Sequence, residues 1–86
     1  MRIRWEVDAW AEYVEWQNNK AMLRRINGLI KEAMRHPFEG AGKPEPLSGN
    51  LSGYWSRRID EKNRLVYRVD GGELTIAQCG GHYGQH

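Results

Sequence analysis

Residues 37 to 53, PFEGAGKPEPLSGNLSG, contain all three prolines of an 86-residue chain. A proline donates no amide hydrogen and clashes with the preceding helical turn, so neither a helix nor an inner strand can run through this stretch. It divides the chain into halves of different periodicity. Before it, Leu23, Ile26, Ile30 and Met34 share one stripe, with Arg24, Arg25, Lys31 and Glu32 elsewhere, which predicts an amphipathic helix over Lys20–Arg35. Trp10, Ala11, Tyr13 and Val14 recur at three and four, predicting an earlier helix over residues 8 to 17, capped by Asp8 and broken at Asn18-Asn19. The alternation at Arg2–Trp5 reads as a short strand.

After the proline segment the period falls to two. Residues 54–59, 64–69 and 73–79 read as three strands of an antiparallel meander, joined at residues 60–63 and 70–72. Leu65, Tyr67 and Val69 fall on one face of the middle strand, and Arg64, Val66 and Arg68 on the other. The expected fold is therefore α+β: two N-terminal helices packed on one face of a twisted, mainly antiparallel four-stranded sheet, with a basic face left open. The proline segment itself is expected to be a long, ordered, functional loop anchored by Phe38, Leu47 and Leu51.

A chain of 86 residues suits a single domain spanning residues 1–86. Its net charge of +2 says little about a partner, but residues 57–68 hold Arg57, Arg58, Lys62, Arg64 and Arg68 against Asp60 and Glu61. Cys79 is the only cysteine, so no intramolecular disulfide can form, which fits a reducing cytoplasm. No apolar run approaches the roughly 20 residues of a membrane helix, and the N-terminus does not read as an export signal.

Metal-free RNA cleavage needs a base for the 2′-hydroxyl proton, an acid for the departing 5′-oxygen, and cations around the phosphate. Glu45, set between Pro44 and Pro46, is a carboxylate on a restrained backbone and suits the base. Arg64 supplies a planar guanidinium for phosphate oxygens, with Arg58 and Lys43 beside it. His82 suits the acid, and Tyr83 can stack on a base. Singly, each has a plainer reading: a solvated glutamate, a wet sheet face, an ordinary C-terminal tail. A C-x₂-H-x₃-H spacing at Cys79, His82 and His86 would offer zinc three ligands, but no fourth is evident and Cys79 reads as a small buried hydrophobe, so neither metal nor cofactor is expected.

The segment HPFEGAGKPEPLSGNLSGYWSRRIDEKNRLVYRV, continued by IAQC and His82-Tyr83, resembles the YoeB group of the RelE-like toxins, and Trp5, the Trp10 helix and Trp16 extend the likeness over nearly the whole chain. The resemblance implies a RelE-like, microbial-ribonuclease-like fold and an endoribonuclease that cuts messenger RNA in the ribosomal decoding site. By position it implies Glu45 as general base, Arg64 as phosphate-stabilising arginine, His82 as general acid and Tyr83 as a substrate-positioning residue. RNA or ribosome contacts would fall to Lys43, Arg57 and Arg58, with Arg2, Lys20 and Arg24 further out. The resemblance further implies a YefM-type antitoxin whose acidic C-terminal segment folds over the toxin, and a homodimer. Three departures stand out: Gly80-Gly81 where relatives often carry an arginine and an aromatic, Ser48-Gly49 where some carry a lysine, and Gly84-Gln85-His86 beyond the usual terminal tyrosine. A non-catalytic module on the same fold, binding the ribosome or an antitoxin, is the competing expectation.

Overall fold

The structure, a computed structural model, describes residues 1–81. The chain runs β1 (Arg2–Trp5), α1 (Val7–Glu15), a 3₁₀ turn (Trp16–Asn18), α2 (Lys20–Arg35), β2 (Glu45–Pro46), a second 3₁₀ turn (Gly49–Leu51), β3 (Trp55–Arg58), β4 (Arg64–Asp70) and β5 (Glu73–Cys79). The strands form one mixed sheet in the order β1-β5-β4-β3-β2. Among the described residues only β1 against β5 is parallel. The α+β class, two helices and the open face match the sequence reading, while the strand count rises from four to five.

The added strand lies inside the proline segment. Glu45 pairs with Ser56 and Pro46 with Trp55, and Leu47 N donates to Tyr54 O at 2.9 Å, closing a hairpin. Pro46 is tolerated because β2 is the sheet edge, where a missing amide hydrogen leaves no ladder acceptor unpaired. Phe38 packs on Trp55 at 4.8 Å between ring centroids, and Leu47 and Leu51 are half-buried. This segment is ordered by its neighbours, not by its own periodicity.

Helix α2 begins where Asn19 accepts a bond from Met22 N at 3.1 Å, satisfying one of the helix's unpaired amides. Its buried face is Ile26, Leu29, Ile30 and Ala33, rotated slightly from the expected stripe so that Leu23 and Met34 sit at the margins. Helix α1 starts one residue before Asp8. Glu6 occupies the N-cap position without a side-chain cap, and Asp8 lies in the first turn, where its charge still favours the helix dipole. Val7, Trp10 and Val14 on α1 remain exposed, at 84%, 51% and 47%. Among the described residues no helix is long and apolar enough to cross a membrane.

The core joins Ala9 and the α2 face to Ile59, Leu65, Tyr67, Leu74, Ile76 and Cys79. Ile76 and Cys79 are an odd number of residues apart, so an unbroken strand would send them to opposite faces. A bulge prevents this: Val66 pairs with Gln78 and Tyr67 with Ile76, leaving Ala77 as the extra residue. Both residues thereby reach the core, and the open face keeps Gln78.

Candidate active site

On the face turned away from the helices, pairing registers align side chains in rows. One row runs Glu45, Ser56, Val66, Gln78, and the adjacent row sets Arg58 directly opposite Arg64. Opposed like charges on neighbouring strands disfavour the pairing, so two arginines there make sense where an anion comes between them. Glu45 and Arg64 thus share one surface, two strands apart, which is about 10 Å between backbones. The expected basic face is present, with Arg58 and Arg68 exposed and Arg64 half-buried.

Arg64 is oriented by the turn before it. Its Nη1 donates to the carbonyls of Asp60, Glu61 and Asn63 at 2.6, 3.1 and 3.2 Å. All these bonds leave from one nitrogen, so among the described residues the guanidinium edge formed by Nη2 and Nε is left for a planar oxyanion. Asp60 closes the turn, accepting from Lys62 N at 2.8 Å and Asn63 N at 2.7 Å. Slight burial pushes its carboxyl up. Bonds from Asn63 and Lys62, aided by the Arg64 charge, outweigh this and hold it below the ordinary value.

The chain leaves β5 beside Arg64. Gly80 N donates to Arg64 O and Arg64 N to Gly81 O, each at 3.0 Å. Gln78 Nε2 donates to the carbonyls of Gly80 and Gly81, both at 2.9 Å, and Gly81 N donates to Asn63 Oδ1 at 2.8 Å. Trp16 Nε1 adds a bond to Cys79 O at 2.9 Å, and Glu12 accepts from Cys79 N at 2.8 Å. Both glycines have positive φ, 136° and 70°, which side chains with a Cβ adopt only under strain. The Gly80-Gly81 pair therefore does more than delete a cation, because it permits this particular exit. His82, Tyr83 and His86 lie outside the described residues.

Lys43 is exposed, next to the Glu45 strand, and holds φ at 51°, the one positive value at a non-glycine among the described residues. Glu45 is exposed. Arg57 requires a correction. Expected as an RNA contact, it has no exposed surface and spends its guanidinium on Tyr67 Oη and the carbonyls of His36, Glu39 and Ala41. Strand alternation places it opposite Arg58, on the core side, and the pair "RR" gave no sign of which one faces out. Cys79 is fully buried, and burial, followed by the charge of Glu12, pushes its thiol up to about 12, so it behaves as a small apolar side chain. Residues 60–63 and Gln78 were not singled out by sequence, since turn-forming and strand-end polar residues carry no mark of the group they orient.

The profile of the YoeB-like toxin of bacterial type II toxin–antitoxin systems matches residues 5–83, and the chain belongs to that family. It is 52% identical over 84 residues to Toxin YoeB of Escherichia coli K12, covering 96% of this chain and 100% of the relative. The solved structure of a YoeB/ParE toxin from Agrobacterium tumefaciens superposes with a TM-score of 0.92 at 49% identity, covering 96% of this chain and 100% of that one. YoeB from Staphylococcus aureus, solved as a dimer and in a heterotetrameric complex with YefM, superposes with a TM-score of 0.88 at 45% identity in both cases, covering 96% of this chain and 98% of that one.

Proposed function

We propose that this toxin is a metal-independent endoribonuclease that cuts messenger RNA in the ribosomal A site. The observation that carries the reading is the common surface: Glu45 and the Arg58–Arg64 pair lie on one face, and Gly80 and Gly81 are bonded to the backbone of Arg64. In the proposed reaction the Glu45 carboxylate takes the 2′-hydroxyl proton and O2′ attacks phosphorus. The P–O5′ bond breaks, and His82 gives its proton to O5′, leaving a 2′,3′-cyclic phosphate and a 5′-hydroxyl. Arg64, with Arg58 and Lys43, stabilises the added charge, and Tyr83 stacks on a neighbouring base.

Partners are proposed from the same chemistry. The basic open face suits the acidic segment of a YefM-type antitoxin, which would cover Arg58 and Arg64 as it folds. The exposed Val7, Trp10 and Val14 on α1 supply apolar surface for a homodimer, the state in which the S. aureus relative was solved. A cytoplasmic site of action follows from the proposed substrate.

Primer extension on messenger RNA after a brief pulse of expression tests the reading. Wild type should give discrete cuts within codons, and Glu45→Gln or His82→Gln should give none while still folding. A wild-type protein that arrests translation without cuts would identify a non-catalytic module instead.

A further inference from the structure

Arg57 is the largest side chain in the fully buried set, and among the described residues its acceptors are neutral. Nε donates to Tyr67 Oη at 2.9 Å, Nη1 to Ala41 O at 2.8 Å, and Nη2 to the carbonyls of His36 and Glu39 at 2.5 and 2.9 Å. Tyr67 Oη passes the chain on by donating to Pro37 O at 2.5 Å. Every carbonyl in this network belongs to residues 36–41, the strap between α2 and Lys43. Arg58 N extends the same stitching by donating to Gly42 O at 2.7 Å.

Burying a charge is costly unless its hydrogen-bonding capacity is met, so four bonds from one guanidinium, three of them to carbonyls of one short strap, mark a strong local constraint. The strap needs it. β2 is two residues long and sits on the sheet edge, too short to fix its own place, and Glu45 follows Ala41 by four residues. Lysine could not substitute, because its donors radiate from a point instead of a planar fork.

We propose that Arg57, together with Tyr67, is a positioning residue for Glu45: by locking residues 36–42 onto β3 it sets the carboxylate at its working distance from Arg64. The proposal rests on the reading of Glu45 as the base. Arg57 touches no RNA and acts only through the strap.

The test is single-turnover cleavage of messenger RNA on programmed ribosomes by wild type, Tyr67→Phe, Arg57→Lys, Glu45→Gln and the Glu45→Gln/Tyr67→Phe double variant. Tyr67→Phe removes one oxygen from the core and keeps the ring, so it decides the matter if Arg57→Lys fails to fold. The rate constant at saturating ribosome should fall about tenfold or more, as misplacement of a catalytic group predicts. The half-saturating concentration should stay close to wild type, and amide exchange at Arg58, whose N–H donates to Gly42 O, should quicken. In the Glu45→Gln background Tyr67→Phe should cost nothing further. A folded Tyr67→Phe with wild-type rate and a slow Glu45→Gln would overturn the positioning role alone, and so would a full additional loss in the double variant. Wild-type cleavage by Glu45→Gln would remove the base reading and the proposal with it.

Discussion

Gly42→Ala measures how tightly the Glu45-bearing segment is held. Gly42 has φ of 84°, and a Cβ there would lie 2.8 Å from Leu29 Cδ2, 3.1 Å from Arg57 Cβ and 3.3 Å from Arg58 O. Two costs add. The left-handed backbone costs a residue with a Cβ about 1 to 2 kcal/mol. Forcing a methyl group against a fully buried leucine and a backbone oxygen adds about 1 to 3 kcal/mol, the usual range for overpacking. Gly49→Ala isolates the first cost, because Gly49 has φ of 64° and nothing within 4 Å of the new Cβ. Thermal or urea unfolding should therefore place Gly42→Ala below wild type by about 2 to 5 kcal/mol, with Gly49→Ala losing only about 1 to 2. For a domain of this size each kcal/mol moves Tm by about 4 to 8 °C, so the two variants are easily separated. Equal losses would mean that the strap is not packed against α2 and β3 as described, and the rigidity claimed for Glu45 would lose its basis.

Other consequences follow from single contacts. Deleting Ala77 removes the surplus residue and leaves Ile76, Gln78 and Cys79 in unbroken alternation against Tyr67, Val66 and Leu65, so Cys79 keeps its place in the core and the variant should still melt cooperatively. The Cys79 thiol, raised to about 12 by burial, should resist iodoacetamide at pH 8 in the native protein and react after unfolding. Because the Asp60 carboxyl is held below its ordinary 3.8, its contribution is present above that value and lost as pH falls through the folded value; Asp60→Asn should flatten that part of the acid unfolding curve. Arg64→Lys should cut slowly even at saturating ribosome, since an ammonium lacks the bidentate fork.

The class of fold and most of its elements were legible because long periodic segments announce themselves: Lys20–Arg35 was placed to the residue, and β5 likewise. The edge strand Glu45–Pro46 was not, because two residues flanked by prolines have no periodicity, and their extended state comes from pairing with β3. The bulge at Ala77 was hidden for a related reason, since it is the partner strand's register that makes one residue surplus. At the site, residue types suggested Glu45 and Arg64, and the register of three strands put them on one face. Arg57 and Arg58 show the limit. Two adjacent arginines carry equal charge in sequence, and only strand alternation against a core separates the buried clamp from the exposed cation.

Glu45 as base and His82 as acid stand at opposite ends of one proton transfer path, and a substrate with sulfur replacing the bridging 5′-oxygen at the cut site separates their roles. A thiolate leaves without an acid. This substrate should restore single-turnover cleavage by His82→Gln to nearly the wild-type rate while Glu45→Gln stays slow. No recovery by His82→Gln, or equal recovery by both variants, would contradict it.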